Sequence, residues 1–292
     1  MAETTITRSD KSEIFEYDFA GFPVLARKAR MSHYVNRTAS EHWHDDFEFV
    51  LVLSGELDTW VNGKHLLIEE GQGIFVNSRQ LHSYNCPVSD CTYICVLVHP
   101  SLLSASRQLS DKFVTPVADI DGVPYVLLDG EVGWQQSVMD MLRQVYQSRE
   151  QETAPLRIQS LIYRVWLTLY EEVFSKQEHK SSATDDRGLS TVKRMVSYIQ
   201  QNYRERVTLD EIAEAGMVGR TTCRTLFRKF LDDTPVNYLI RYRLKMAAEL
   251  LSGTDTSVSD IASEIGFSTT SYFIEVFHHY YGKSPLEYRR GA

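Results

Sequence analysis

The sequence predicts a multidomain α+β protein: a β-sandwich or β-barrel with two following helices, then an all-α domain with two helix-turn-helix units. Three observations predict this division. Short β-rich runs separated by turn residues fill residues 20 to about 100, and apolar residues recur at helical spacing over about 131–174. After residue 188 the pattern is helical throughout, and one motif occurs twice.

The β-rich region consists of short runs of β-branched, aromatic and aliphatic residues, such as FEFVLVL, DTWV and YICVLV. Asn62-Gly63 lies after one of these runs, and this dipeptide favours the two-residue turn of a β-hairpin. Many short strands joined by close turns are typical of a sandwich or a barrel.

Two amphipathic helices are expected over about 131–174. In the first, apolar residues recur at intervals of four, three and four: Trp134, Val138, Met141 and Val145. The second has a wider apolar face: Ile158, Leu161, Ile162, Val165, Trp166, Leu169 and Val173. Such a face must be buried against the barrel, a partner subunit or both, and we expect the region to form a homodimer.

Residues 175–188 contain no apolar pattern and are rich in Ser, Asp, Lys and Glu, which predicts a linker between domains 1–174 and 189–292. The charge changes sign there. Residues 189–292 carry 14 Lys and Arg and 12 Asp and Glu, which is a net charge of +2. The rest of the chain carries 17 and 27, a net charge of −10, and the whole chain has a net charge of −8. This difference suggests two modules with different partners.

The sequence also indicates the cellular compartment of the protein. The N-terminus has no basic start followed by an apolar run, and no apolar stretch is long enough to span a membrane, so we expect a cytoplasmic protein with no membrane partner. No two cysteines form a C-x-x-C pair, and we expect reduced thiols. The four are Cys86, Cys91, Cys95 and Cys223.

The C-terminal region contains an internal repeat. Ile212-Ala213 recurs 49 residues later, and Phe227 recurs 50 residues later as Phe277. The one-residue difference is expected in the turn, and Thr208 with Glu211 predicts a capping box at the first unit. In a helix-turn-helix, the second helix lies in the major groove of DNA with its exposed face against base edges.

The helical spacing of the apolar residues indicates which face of the second helix in each unit points outward. Arginine can pair with guanine, and the threonine methyl can contact the methyl group of thymine. The candidate DNA-contacting residues are Thr221, Thr222, Arg224, Thr225 and Arg228 in the first unit, and Thr269, Thr270, Ser271 and Glu275 in the second.

Residues 189–292 resemble the DNA-binding domain of AraC/XylS-type transcriptional regulators, through DEIAEAG, RTLFRKF and DIASEIGFSTTSYFIEVFHHYYGKSPLEYR. The resemblance implies two helix-turn-helix units on successive major grooves, with Thr221, Arg224 and Thr225 contacting bases, and contact with RNA polymerase in an activator. The sequence departs from the family where basic residues are usual, at Glu275 and at His278-His279.

The stretch HWHDDFE places His42, His44 and Glu48 at even spacing. On one regular strand all three side chains share a face, and Phe47, Phe49, Leu51 and Leu53 share the other. Three imidazoles and a carboxylate, counted with His82, suit Zn, Fe, Mn or Ni.

The order H-x-H-x3-E-x6-G, then G-x10-H, resembles the two motifs of a cupin barrel, with Asn77 and Arg79 in place of the usual proline and glycine. In metal-binding cupins the corresponding residues are the four ligands, here His42, His44, Glu48 and His82. The sensory domains of AraC-type regulators are often cupin-like, and their similar polar groups line a cavity without a known metal.

We therefore expect a one-component transcription factor that binds double-stranded DNA and has no cofactor. Its cupin-like barrel would bind a small-molecule effector, such as a sugar or another polar metabolite, through these four residues. One alternative is a cupin metalloenzyme, a dioxygenase or isomerase with a DNA-binding tail and a divalent metal. Another is a regulator without an effector, whose barrel binds a protein.

Overall fold

The computed structural model describes residues 6–7, 12–34, 37–86, 90–118, 123–176 and 183–290. The chain divides into two compact units, Met1–Arg187 and Gly188–Ala292, which are described separately. Within the described residues, no helix is long and apolar enough to cross a membrane.

Two antiparallel sheets build the first unit. Its strands are β1 (Ile6–Thr7), β2 (Glu13–Ile14), β3 (Val24–Arg30), β4 (Thr38–His42), β5 (Phe47–Ser54), β6 (Leu57–Val61), β7 (Lys64–Ile68), β8 (Gly73–Val76), β9 (His82–Asn85), β10 (Thr92–Val98) and β11 (Tyr125–Leu128). The larger sheet has the order β11-β8-β5-β10-β3, the smaller has the order β4-β9-β6-β7, and β1 pairs with β2. The predicted hairpin is confirmed: Asn62 and Gly63 have φ of 50° and 83° and join β6 to β7.

The β5 strand is buried on both of its faces. Phe47, Phe49 and Leu51 belong to a core beneath the helices, whereas Val50 and Val52 belong to a second core shared by both sheets. Side chains alternate across a strand, so each face of FEFVLVL supplies a different core. The predicted alternation within β5 is confirmed.

Helices cover the outer face of the larger sheet. The helices of the first unit are α1 (Arg107–Leu109), α2 (Thr115–Ala118), α3 (Gly133–Ser148) and α4 (Ala154–Glu172), with 3-10 turns at Met31–His33, Pro100–Leu102 and Phe174–Lys176 and a π-helical turn at Ser110–Val114. Of these, α3 and α4 supply most of the core on that face of the sheet. Trp166 of α4 stacks on Phe47, with ring centroids 4.5 Å apart, and its indole nitrogen donates to the carbonyl of Phe113.

The apolar face of α4 is covered by its own chain, and the reason given above for a dimer is therefore wrong. Leu161 is 7% exposed and Val165 is 1% exposed, because both pack in the core between α3, α4 and the larger sheet. The exposed apolar residues of this helix are instead Leu156 and Leu167.

The predicted linker, 175–188, is shorter than its composition suggests. Residues 177–182 lie outside the described residues, but α5 (Ala183–Asn202) already begins six residues before Leu189. A polar first turn can continue an amphipathic helix, which a search for apolar spacing does not detect. Gly188 lies inside α5, where an added Cβ would meet the ring of Phe230 at 3.0 Å, so this glycine permits close packing.

The second unit is all-helical. Its further helices are α6 (Leu209–Ala215), α7 (Arg220–Leu231), α8 (Pro235–Gly253), α9 (Val258–Glu264), α10 (Thr270–Tyr281) and α11 (Pro285–Arg290). The capping box of Thr208 and Glu211 is present, and Thr234 caps α8 ahead of Pro235. Phe227 and Phe277 are fully buried at matching places in the two units.

The turn between the two helices of each unit accounts for the one-residue difference between the two copies of the repeat. Four residues connect α6 to α7, and five connect α9 to α10. After the second helix of each unit the chain enters the left-handed region, at Asp232 with φ of 48° and at Gly282 with φ of 66°. Aspartate tolerates this conformation better than most residues.

Candidate functional site

The four residues of the H-x-H…E…H pattern meet between the two sheets. His42 ends β4 and His82 begins β9, and these two residues are directly paired across the smaller sheet. Glu48 lies on β5 of the larger sheet, and His44 lies in the connection between β4 and β5. The expectation of one regular strand is wrong, because the chain leaves one sheet after His42 and enters the other at Phe47.

The side chains nevertheless converge. One ligand atom from each of the four residues lies within 4.8 Å of every other. Oε2 of Glu48 is 2.8 Å from Nε2 of His82 and 3.3 Å from Nε2 of His44. Glu48, His44 and His82 are buried, whereas the side chain of His42 is 12% exposed.

Backbone carbonyls orient all three rings. Nδ1 of His42 is 2.7 Å from the carbonyl of Ser40, and Nδ1 of His82 is 2.9 Å from that of Gln80. Nδ1 of His44 lies 3.1 Å from the carbonyl of Asp46. A carbonyl only accepts hydrogen bonds, so each Nδ1 carries a proton and each ring presents Nε2 to the cluster.

The cluster holds a buried negative charge. Burial alone would raise the pKa of Glu48, but the imidazoles of His44 and His82, which lie 3.3 Å and 2.8 Å from Oε2, outweigh it and hold this pKa well below its ordinary value. Burial lowers the pKa of His42, so its ring favours the neutral form. An ionised carboxylate therefore faces imidazole nitrogens in a site that excludes most water.

Two polar atoms at this place have no hydrogen-bond partner among the residues that the structure describes: Nε2 of His82 and the hydroxyl of Tyr84. Oε2 of Glu48 lies 2.8 Å from Nε2 of His82, but outside the direction in which this nitrogen could form a hydrogen bond. Buried polar atoms without partners are uncommon and point to a bound ion, water or ligand.

Sequence reasoning missed several residues around the cluster. Tyr84 is two residues after His82, so strand alternation could have placed it on the same face. The Cys95 thiol donates to Oε1 of Glu48 at 3.3 Å, which depends on the pairing of β5 with β10. Phe15 packs edge-on against His44, and no spacing in the sequence indicated this contact.

The two departures from the cupin motif have structural roles. Arg79 has a φ of 60°, which is a conformation that glycine adopts readily, and its guanidinium pairs with Asp45 at 2.9 Å. The side-chain amide of Asn77 donates to the carbonyls of Val117 and Val123 and so attaches these two residues to the end of β8.

The second candidate surface is the outer face of α7. The sequence-predicted candidates of the first helix-turn-helix unit are all exposed there: Thr221, Thr222, Arg224, Thr225 and Arg228. Cys223 and Phe227 are buried on the opposite face. Arg220 forms a bidentate pair with Asp210 of α6, and this contact fixes the start of α7 against the first helix of the unit.

The corresponding face of α10 has a different character. Ser271 and Glu275 are exposed there, and Thr270 is partly exposed. Thr269 caps the helix, because its hydroxyl accepts from the backbone N–H of Tyr272. The α7 sequence contains Arg and Lys side chains and no acidic residue, whereas the α10 sequence contains Glu275 and no Arg or Lys.

A helical unit with two helix-turn-helix motifs and an exposed basic helix, in one chain with a β-rich unit that holds a buried polar cluster, defines a DNA-binding regulator with a ligand-binding domain. The model of the helix-turn-helix domain matches residues 212–291, and the model of the AraC-like ligand binding domain matches 29–165. The second match includes the whole polar cluster.

Relatives cover nearly the full chain. The HTH-type transcriptional regulator YdeC of Bacillus subtilis is 30% identical over 281 residues, which are 95% of this chain and 95% of that protein. The HTH-type transcriptional activator RhaS of Shigella boydii is 26% identical over 86% of this chain and 87% of its own length. The solved structure of ToxT from Vibrio cholerae aligns over 91% of this chain and 98% of its own, with 14% identity and a TM-score of 0.46.

The chain belongs to the AraC family of transcriptional regulators, as its C-terminal motifs predicted. The family acts by binding DNA and is not a family of enzymes. The alternative of a cupin metalloenzyme with a DNA-binding tail is therefore not supported.

Proposed function

We propose that the chain is a cytoplasmic, effector-controlled regulator whose cupin-like domain binds a small polar molecule at His42, His44, Glu48 and His82. The observation that carries this proposal is the buried convergence of these groups inside the part of the chain that matches a ligand-binding domain. Unpartnered atoms of His82 and Tyr84 offer further contacts to a hydroxylated or anionic molecule.

DNA recognition is assigned mainly to α7. Arg224 and Thr225 stand on its exposed face at the spacing that reaches base edges in a helix-turn-helix. Since α10 presents Glu275 in place of basic side chains, we assign it fewer phosphate contacts than α7. Its contribution is the fit of its shape to the major groove of DNA.

A homodimer would place four helix-turn-helix units on two half-sites. The surface that supports it is the outer side of α4, where Leu156 and Leu167 are 73% and 55% exposed. These residues are eleven positions apart, which is about three helical turns, so they share one face. If the regulator is an activator, RNA polymerase is a further partner.

The effector proposal is tested with the full chain and a duplex selected from a random library. A panel of sugars, sugar acids and small carboxylates is screened for a rise in melting temperature, and compounds that raise it are tested for a change in duplex affinity. We expect His44→Ala and His82→Ala to abolish that change and keep the basal affinity. An effector that acts equally on both variants would contradict the assignment of the site.

The dimer is tested by sedimentation of the full chain. Wild type at tens of micromolar is expected to be dimeric, and Leu156→Asp with Leu167→Asp is expected to be monomeric and folded. A monomeric wild type, or a dimer that survives both substitutions, would contradict the α4 interface.

A further inference from the structure

We propose that the effector is a small hydroxy acid whose carboxylate is bound between the two sheets by Arg27, with the hydroxyls of Tyr34 and Tyr93 beside it. This assignment rests on the proposed function, because it takes the space between the sheets as the effector site and names the class of molecule held there. Three features of the described residues carry it. They are the direction in which Arg27 points, the charges on the two sides of the space, and two buried hydroxyls of the smaller sheet.

The strand register turns Arg27 toward the space between the sheets. Leu25 and Ala29, two residues before and after it on β3, pack against the core that both sheets share. Side chains alternate along a strand, so Arg27 faces the same way. Its partner across the sheet is Cys95 of β10, which belongs to that core and whose thiol donates to Glu48. A guanidinium therefore lies on the interior side of the larger sheet, with β10 between it and β5.

Hydroxyl groups surround this guanidinium. Nη2 of Arg27 donates to the hydroxyl of Tyr34 at 3.5 Å, and the hydroxyl of Tyr93 donates to the same oxygen at 3.3 Å. Burial raises the pKa of Tyr93, so its hydroxyl keeps its proton near neutral pH. The planar fork of N–H donors on arginine matches the two oxygens of a carboxylate, and neighbouring hydroxyls can donate to the same oxygens.

The opposite charge lies on the same side of the sheet, at Glu48. Two strand spacings separate Arg27 from β5 through Cys95 and Val50, and Glu48 is two residues further along β5. At about 4.8 Å per spacing and about 6.8 Å per two-residue step, the Cα atoms of Arg27 and Glu48 are about 12 Å apart. One small molecule can therefore contact both side chains, with a carboxylate at Arg27 and hydroxyl donors toward Glu48.

The smaller sheet contributes two hydroxyls to the same space. Thr59 of β6 and Tyr84 of β9 are direct partners in the sheet, and they are 0% and 4% exposed. Neither hydroxyl has a hydrogen-bond partner within the described parts of the chain. Buried hydroxyls without partners destabilise the free protein, and two of them side by side point to the oxygen atoms of a ligand.

The class of ligand is tested by thermal shift and calorimetry on the full chain, with acids and their neutral parents at constant ionic strength. The pairs are galacturonate with galactose and glycerate with glycerol. We expect an acid to bind and its parent to bind much more weakly. Arg27→Gln should weaken the binding of that acid by about 10-fold or more, and Arg27→Lys should retain part of it, because lysine keeps the charge and loses the fork. The matched control is Lys28→Gln, which removes an exposed charge of the same strand and should bind the acid as wild type does.

Thr59→Val separates a ligand contact from a role in folding. Valine replaces the hydroxyl by a methyl group of similar size, so the free protein should be at least as stable as wild type, while its affinity for the acid falls. A less stable variant with unchanged affinity would mean that the hydroxyl serves the fold or holds water only, and would count against the assignment.

The assignment fails if the parents bind as tightly as the acids, if no acid binds at millimolar concentration, or if Arg27→Gln binds the acid as wild type does. If Arg27→Gln does not fold, Arg27→Lys and the preference of wild type for acid over parent decide. A neutral sugar whose binding requires His82 and not Arg27 would support the proposed function and overturn the carboxylate site. An acid whose binding requires Arg27 and not His82 would support the carboxylate site and contradict the proposed contact at His82.

Discussion

Arg224→Ala is the substitution that tests most directly whether α7 reads bases. Arg224 is exposed, so its removal should leave the fold intact, and far-UV circular dichroism should not change. The loss of one bidentate contact to a base costs about 1–3 kcal/mol, which corresponds to about 5- to 150-fold in affinity. The loss should appear on the selected duplex and be much smaller on a scrambled one.

Salt dependence separates base contacts from phosphate contacts. Each phosphate contact contributes about 0.9 to the slope of log affinity against log salt concentration, and a pure base contact contributes little. Fluorescence anisotropy over a salt series should therefore give the same slope for Arg224→Ala and wild type. Lys229→Ala, which removes another exposed charge of the same helix, serves as the comparison and should lower the slope.

The reasoning is refuted if Arg224→Ala weakens both duplexes equally and lowers the slope by about one. That result would make Arg224 a phosphate contact. An unchanged affinity on the selected duplex would exclude it from the interface altogether.

Three further predictions concern the same chain. Glu275→Ala should tighten binding to scrambled duplex, because a negative charge near phosphate is removed, and weaker binding in the anisotropy assay would contradict this. Ile162→Ala should cost about 2–5 kcal/mol in thermal or denaturant unfolding, since Ile162 is buried, whereas Gln144→Ala at an exposed position of the neighbouring helix α3 should stay within about 0.5 kcal/mol; equal losses would contradict the packing of α4. Gly266→Ala should destabilise the helical unit more than Gly282→Ala: both have positive φ, but only at Gly266 would a Cβ meet a backbone oxygen, at 2.6 Å. Unfolding curves of the two alanine variants that coincide would contradict this difference.

The helical unit could be predicted in detail because its signals are local. Capping residues and the proline at the start of α8 act within a few residues, and the structure has them in place. The early start of α5 was missed for the same reason. Its first turn contains no apolar residue at helical spacing, and the pattern becomes visible only at Leu189.

The polar cluster was predicted for a reason that the structure corrects. The even spacing of His42 and Glu48 predicted that their side chains share one face of a single strand, but the two residues lie on different sheets. The contributions of Cys95 and Phe15 depend on strand pairing and on the path of the N-terminal segment, which no local pattern encodes. The face of α4 was misjudged similarly, because amphipathic spacing shows that a face is buried but not which partner buries it.

Three consecutive residues of β5 connect two layers of the first unit. The side chain of Glu48 enters the polar cluster, whereas those of Phe47 and Phe49 lie on the opposite face, and Phe47 stacks on Trp166 of α4. Neighbouring residues share a peptide plane, so a rotation of the backbone at Glu48 is transmitted to Phe47 without an intermediate contact. If the proposed effector binds at Glu48, a single peptide bond separates the residue that contacts it from the residue that stacks on α4, and the hydrogen bonds on either side of β5 restrain the movement of both.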